Sequence, residues 1–267
     1  MIKIGFCLPR VALPEGMEDT AVNRLLEANK AVFDAGFDYV ECTVASLVKL
    51  SEEEYTELRD RGFRAEACNS FLPASLPVCG FGEEMERYVE KALARAAGVG
   101  CKIVVFGSEK ARNLSENTSF EEGMEEIKRF LRMCEPIAAK NDITIVIEPL
   151  NPKACNIINY VSEGDALVRE LSLPHIANLA DSFHMYQGNE PLENLAKCHE
   201  TIKHVHIAEG DTRAYPGAGD GVFLGAFAEL LKGNGYDGRV SAECRYPDAD
   251  FSDVGKPSAE YMRKLFS

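Results

Sequence analysis

Short apolar runs alternate with amphipathic segments along the whole chain, and this alternation is the main structural signal in the sequence. Runs such as KIVVFG at 102–107 and ITIVIE at 143–148 are continuously apolar, which is typical of strands buried on both faces of a parallel sheet. Strands are predicted to start near Lys3, Asp38, Arg64, Lys102, Ile143, His175, Lys203 and Arg239. Helical spacing of apolar residues predicts helices over 23–35, 51–61, 83–97, 119–141, 162–171, 193–199, 223–232 and 258–266.

Strict alternation of strand and helix predicts a parallel sheet, and eight such units predict a closed (β/α)8 TIM barrel. An open doubly wound sheet is the alternative. The segment after the first strand, FCLPRVALPEG, has prolines, where that fold often has a glycine-rich phosphate loop. No Pro/Gly/Ser-rich linker divides the sequence, so we expect a single α/β domain over 1–267. The irregular stretches 8–19, 69–82, 151–160 and 210–222 would line the mouth of the barrel.

Polar residues interrupt the apolar pattern at the ends of the last strands. Glu148, Asp181, His206 and Glu243 are separated by 33, 25 and 37 residues, each about one strand-plus-helix unit. A barrel would bring these strand ends to one mouth, where such folds have their active sites. A charged group is costly to bury unless it is paired or binds a metal. The four residues therefore predict a site for one divalent cation: Mn²⁺ first, with Mg²⁺, Co²⁺ and Zn²⁺ as alternatives.

Composition indicates which binding partners and which cellular compartment to expect. The 267 residues carry a net charge of −14, which argues against nucleic acid, because nucleic-acid affinity comes mostly from Lys and Arg on phosphates. No apolar stretch is long enough to span a membrane, and the N-terminus does not read as a secretory signal. Nine scattered cysteines without a CxxC pair favour a reduced, cytoplasmic setting. We expect Cys7, Cys42, Cys68, Cys101 and Cys244 in core strands. The oligomeric state stays open, a homo-oligomer included.

Four short motifs occur in strand order: IEPLN at 147–151, DSFHM at 181–185, HVHIAE at 204–209 followed by PGAGDG at 216–221, and AEC at 242–244. Together they resemble the xylose isomerase-like barrel superfamily, in particular the sugar isomerases and epimerases typified by D-tagatose 3-epimerase and hydroxypyruvate isomerase. The resemblance covers the chain in strand order and is stronger in the C-terminal half. It implies a divalent-metal-dependent enzyme that isomerises or epimerises a small carbohydrate.

The resemblance also implies individual roles. The metal ligands would be Glu148, Asp181, His206 and Glu243. Glu148 and Glu243 would also be the acid/base pair, acting through an enediolate that the metal stabilises. His184 and Arg213 would contact substrate oxygens. Glu41, at the end of the second strand in YVEC, is a further inward-facing candidate for substrate binding, whereas His204 is expected to be a supporting or core histidine.

One loop departs from the ketose epimerases of this branch. They usually have a segment like EPLNRYETN, whereas this chain has EPLNPKACN, with Lys153 and Ala154 in place of the aromatic residue and the Glu. We therefore expect poor activity on free ketohexoses. The main alternative is a metal-dependent lyase or dehydratase that uses the same enolising site on a keto sugar, an inosose or an oxidised C-glycoside. Two further functions are less well supported: a phosphodiesterase resembling endonuclease IV, and a barrel that binds sugar without turnover. The net negative charge and the small number of histidines, five, count against the phosphodiesterase.

Overall fold

The computed structural model describes residues 1–246 and 249–267. Its strands pair in parallel, in sequence order, and β1 closes on β8. This closed eight-stranded barrel confirms the predicted (β/α)8 TIM fold. The strands are β1 Lys3–Cys7, β2 Tyr39–Thr43, β3 Ala67–Asn69, β4 Ile103–Phe106, β5 Thr144–Ile147, β6 Ile176–Asp181, β7 Ile202–Ile207 and β8 Arg239–Ala242.

The outer layer consists of helices that follow the strands. They are α1 Ala21–Asp34, α2 Val44–Val48, α3 Glu52–Asp60, α4 Glu83–Gly98, α5 Glu109–Arg112, α6 Phe120–Asn141, α7 Val161–Leu171, α8 Ser182–Gln187, α9 Glu193–Lys197, α10 Val222–Gly233 and α11 Phe251–Leu265. Ser51 and Glu54 form a capping box at the start of α3, and Ser119 and Glu122 form a second one at the start of α6. Each box satisfies two backbone N–H groups that a helix start leaves unpaired.

The last helix begins earlier than the sequence pattern predicts. It starts at Phe251 instead of Ser258 and continues through Pro257. A proline normally marks a helix boundary, because it lacks an N–H group and crowds the preceding turn. Here the additional turns bury Phe251 and Val254 against the barrel. The short helices α2, α5 and α8 were not predicted either, since four to six residues are too few to reveal a helical period.

The interior of the barrel is packed with side chains and is not a pore. Tyr39, Ile103, Val105, Val146 and Leu179 belong to one buried apolar cluster there. Gly5 on β1 makes room for Tyr39, because a Cβ at this position would collide with the tyrosine ring. The remaining apolar residues of the strands pack outward against the helices.

Two further expectations can be compared with the structure. Cys42 and Cys68 lie in strands and are buried, as predicted; Cys101 is buried but precedes β4, and Cys7 and Cys244 are only half-buried. They differ because β1 and β8 end at the open mouth, where the core no longer covers the chain. Among the described residues, no helix is both long enough and apolar enough to cross a lipid bilayer.

Candidate active site

The four predicted ligands meet at the carboxyl end of the barrel. Glu148 follows β5, Asp181 ends β6, His206 lies near the end of β7 and Glu243 follows β8. The backbone N–H groups of Glu148 and Glu243 extend the sheet ladder by one residue, donating to Phe106 and Ile207. Asp181 and His206 are direct partners across β6 and β7. Adjacent strands thus set the spacing of the carboxylate–histidine cluster, defined as Glu148, Asp181, His206 and Glu243.

The cluster converges on one ring nitrogen. Nδ1 of His206 lies 3.2 Å from Oε1 of Glu148, 3.5 Å from Oε2 of Glu243 and 3.8 Å from Oδ2 of Asp181. One donor atom from each of the four residues lies within 4.8 Å of the others. The other oxygen of Asp181 accepts the backbone N–H of His184 at 3.0 Å, which caps α8 and fixes the carboxylate.

The electrostatics of the cluster favour a cation. Burial raises the pKa of Asp181, despite opposing charges nearby. Burial also acts to raise the pKa of Glu243, but His206 and Arg213 outweigh it and lower that pKa to about 2. Burial acts to lower the pKa of His206, and Glu41 and Glu243 outweigh it, so this pKa stands well above its ordinary value. Three carboxylates and one imidazole at these distances fit an oxygen-rich site for a divalent metal.

His184 is held at the cleft by Asn151. The backbone N–H of Asn151 donates to Nδ1 of His184 at 3.1 Å, and its side-chain amide lies 2.8 Å from the same atom. Because Nδ1 accepts these bonds, the ring proton of neutral His184 is on Nε2. The side chain lines the cleft beside the cluster. His184, which the sequence predicted to contact substrate, therefore offers an N–H donor at the cleft.

Arg213 lies on the loop between β7 and α10. Its Nη2 donates to Oε2 of Glu243 at 2.5 Å, and its guanidinium stacks over the ring of Phe183 at 4.9 Å. The backbone of Arg213 is left-handed, with φ of 57°. A left-handed non-glycine residue is uncommon and is typical of constrained functional loops. Arg213 also lines the cleft, as predicted.

Glu41, predicted as a candidate for substrate binding, does not reach the cleft. It is fully buried beneath the cluster, and both carboxylate oxygens are bonded: Oε1 to His206 at 2.9 Å and Oε2 to His204 at 2.8 Å. The sequence correctly placed it on the inward face of β2. The position is one layer too deep for substrate, because Glu41 precedes the strand end by two residues. His204, expected to be a supporting or core histidine, is its buried partner.

Several residues at the site escaped the sequence reasoning. Gly107 follows β4, and a Cβ there would meet Oε2 of Glu148. Asn151 was part of the EPLN motif, yet its role in holding His184 needs the fold to become visible. Asn69, at the end of β3, donates from Nδ2 to Oε1 of Glu243 at 3.4 Å.

A cleft of about 630 Å³ opens above the cluster, which is within the usual range for small-molecule sites. Its inner part contains Glu148, His184, Arg213 and Glu243. The outer cleft, defined as Ala74, Lys110, Lys153, Ala154 and Arg245, comes from loops and from α5. The predicted mouth loops 69–82, 151–160 and 210–222 all contribute to the lining, whereas no residue of 8–19 is among the described lining residues.

The fold and the cluster define a β/α barrel with an acidic, histidine-containing centre at its mouth. Residues 30–265 match the family described as "Xylose isomerase-like TIM barrel", and the chain belongs to this family. The chain is 26% identical to the 3-dehydro-D-guloside 4-epimerase of Escherichia coli K12, over 90% of this chain and 94% of that protein. It is 25% identical to the L-ribulose 3-epimerase of Methylomonas sp. DH-1, over 78% and 74%. These relatives confirm the expectation of an enzyme of the sugar isomerase and epimerase kind.

Solved structures share the fold along the whole barrel. The 3-keto-D-glucoside 4-epimerase of E. coli superposes with a TM-score of 0.76, at 22% identity, over 99% of this chain and 100% of that chain. A D-allulose 3-epimerase of Methylomonas sp., in complex with D-allulose, gives a TM-score of 0.82 at 18% identity, over 99% and 97%. An AP endonuclease of family 2 from Brucella melitensis gives 0.76 at 21%, over 98% and 99%.

Proposed function

We propose that this protein is a divalent-metal-dependent sugar epimerase or isomerase in which Glu148 and Glu243 are the acid/base pair. The observation that carries the proposal is the convergence of both glutamates on one site that also opens to the cleft. They follow β5 and β8, which are separated by β6 and β7 in the barrel wall. They therefore approach a substrate from different sides.

The residues of the cluster fit a metal, and the expected ligands are Glu148, Asp181, His206 and Glu243. A divalent cation bound there would supply Lewis-acid polarisation of the substrate carbonyl and of a neighbouring hydroxyl. This assignment rests on the donor set and its mutual distances. Mn²⁺ is our first candidate, because carboxylates with one imidazole suit it.

The proton transfers fall to the two glutamates. One carboxylate removes the proton from the carbon next to the carbonyl, and the electrons of that C–H bond form the enediolate. If the other glutamate returns a proton from the opposite face, the result is epimerisation. If the proton returns to the carbonyl carbon, with a second proton moved between the oxygens, the result is aldose–ketose isomerisation. The low pKa of Glu243 keeps it ionised and able to act as a base.

Arg213 and His184 would stabilise the developing charge on the substrate oxygens. Both line the cleft, and each is oriented by a neighbour: Arg213 by Phe183 and Glu243, His184 by Asn151. Donors that are already oriented cost little reorganisation when charge develops in the transition state.

For the substrate, we propose a keto sugar that carries a substituent, such as a 3-keto-glycoside, in preference to a free ketohexose. The curated relative that covers 90% of this chain is named as a 4-epimerase of a 3-dehydro-guloside. The outer cleft extends the site beyond the catalytic residues, and Ala74 and Ala154 leave room there. The Glu usual in ketose epimerases is replaced by Ala154.

Solvent-deuterium incorporation tests this function directly. Metal-loaded protein would be incubated in D₂O with 3-keto-glycosides, free ketoses and aldoses, and label and products followed by NMR and mass spectrometry. We expect label at the carbon next to the carbonyl of a keto-glycoside, with an epimeric or isomeric product. Absence of exchange on every member of the panel would overturn the function, and release of a group β to the carbonyl would establish the lyase instead. Turnover of tagatose, fructose or allulose at a kcat/KM on the order of 10⁴ M⁻¹s⁻¹ would overturn the substrate preference.

A further inference from the structure

Glu41 is a charged side chain inside the barrel that the catalytic steps above do not use. It is fully buried, as are its neighbours His204, His206 and Ser241. Its Oε1 lies 2.9 Å from Nε2 of His206, and its Oε2 lies 2.8 Å from Nε2 of His204 and 2.6 Å from Oγ of Ser241. Burying a carboxylate is costly unless it is paired and hydrogen-bonded, and here both oxygens are satisfied.

The directions of these hydrogen bonds follow from the chemistry of the groups. An ionised carboxylate only accepts, so His204, His206 and Ser241 must all donate to Glu41. The hydroxyl proton of Ser241 is then in use, so Ser241 accepts from the hydroxyl of Tyr39, 2.8 Å away. His206 thus carries a proton on Nε2. In neutral His206 the lone pair is then on Nδ1, the atom that faces Glu148, Asp181 and Glu243.

We propose that Glu41 is a positioning residue that fixes the ring orientation and the Nε2–H tautomer of His206, so that Nδ1 is available as a metal ligand. The proposal rests on the proposed function, because it requires a cation at the cluster. Metal-binding histidines commonly donate their second ring N–H to a carboxylate, and removal of that partner typically costs about 10–100-fold in metal affinity. His204 and Ser241 hold the other oxygen and keep the carboxylate from rotating.

The substitution Glu41→Gln tests this role with a nearly isosteric side chain. An amide has one acceptor oxygen and one donor nitrogen, so it cannot accept from both histidines. If the amide nitrogen faces His206, the ring proton must move to Nδ1 and ligation is blocked. We expect Mn²⁺ or Co²⁺ to bind about 10–100-fold more weakly than to the wild type, measured by titration against a competing chelator.

Glu190 provides a matched control. It is also buried, and it accepts from the backbone N–H of Val161 at 2.8 and 3.1 Å and from Nδ2 of Asn194 at 2.8 Å. These contacts cap α7 and lie outside the cleft lining. Glu190→Gln should lower the melting temperature and leave cation affinity unchanged. A general weakening of the fold would instead reduce affinity in both variants.

A direct reading of the tautomer completes the test. Long-range ¹H–¹⁵N spectra of the wild type loaded with diamagnetic Zn²⁺ should show His206 protonated on Nε2. Should Glu41→Gln not fold, Ser241→Ala carries the affinity test, with a smaller loss expected because Glu41 keeps both histidine donors. Affinity within about twofold of the wild type in the variant that folds, an equal loss in Glu190→Gln, or a proton on Nδ1 would each overturn the proposal. A wild type that binds no cation would overturn the proposed function as well.

Discussion

The floor and the rim of the cleft are built differently. The floor is the carboxylate–histidine cluster, whose residues lie at or just past the ends of strands β5 to β8 and whose carboxylates all lie within 3.8 Å of Nδ1 of His206. The rim is the outer cleft, where Lys110, Lys153 and Arg245 are exposed. The hydrogen-bonded sheet fixes the positions of charged side chains at strand ends, whereas loops tolerate substitution. We therefore expect the barrel strands to set the proposed proton chemistry and the loops to set the substrate preference.

The largest effect should come from the floor. In the proposed mechanism, Glu148→Gln and Glu243→Gln would each remove a proton-transfer group and a metal ligand. We expect each to lower kcat by about 100-fold or more, with circular dichroism unchanged. The loss of kcat would be measured by steady-state kinetics on the substrate identified in the deuterium-exchange experiment. Retention of more than about a tenth of the wild-type rate would show that the carboxylate is not an essential base, since positioned proton transfer is usually worth at least ~10².

Gly107 tests how tightly the floor is held. An alanine Cβ there would collide with Oε2 of Glu148, the far end of a flexible side chain. Gly107→Ala should therefore displace the carboxylate at little cost in stability and lower kcat by about 10–100-fold, since small misplacements can cost ~10² in rate.

Gly225 in α10 is the matched control, because a Cβ there meets nothing within 4 Å. Gly225→Ala should leave kcat unchanged and stabilise the helix by about 0.5–1 kcal/mol, visible as a higher melting temperature. Equal kcat in the two alanine variants would argue that Glu148 tolerates displacement.

A medium effect is expected where the rim meets the substrate. Ala154→Glu reintroduces the acidic residue of the ketose epimerases at a position that lines the cleft. It should raise kcat/KM on allulose or tagatose by about tenfold, the lower end of what a hydrogen bond to a substrate hydroxyl contributes. It should also lower activity on the substituted substrate. If Ala154→Glu leaves the activity on ketohexoses unchanged, other residues of the cleft determine the substrate preference.

The smallest effect should come from Lys153. It is exposed, and among the described residues its Nζ forms one long hydrogen bond, to Oε1 of Gln187 at 3.5 Å. Exposed charge contacts contribute about 0.2–1 kcal/mol, so Lys153→Ala should change KM by about fivefold at most and leave kcat intact. A loss in kcat comparable to that of Glu148→Gln would contradict the division between floor and rim.

The same division explains what the sequence could predict. The barrel and the convergence of Glu148, Asp181, His206 and Glu243 follow from strand–helix alternation and from polar residues at regular strand ends. The depth of Glu41 does not follow, because alternation gives the face of a strand but not the height in the barrel. The start of α11 was missed since burial of Phe251 outweighs the boundary signal of Pro257. Gly107 and Asn151 act through long-range contacts that no local pattern encodes.

Metal stoichiometry measures whether the carboxylate–histidine cluster is a single cation site. Protein stripped with chelator would be titrated with Mn²⁺, Co²⁺, Mg²⁺ and Zn²⁺ by calorimetry, beside Asp181→Asn, which keeps the N-cap acceptor of α8. We expect about one ion per wild-type chain, with at least one of these metals, and much weaker binding to the variant. Wild-type protein that binds none of the four metals, or a variant that binds them equally well, would contradict it.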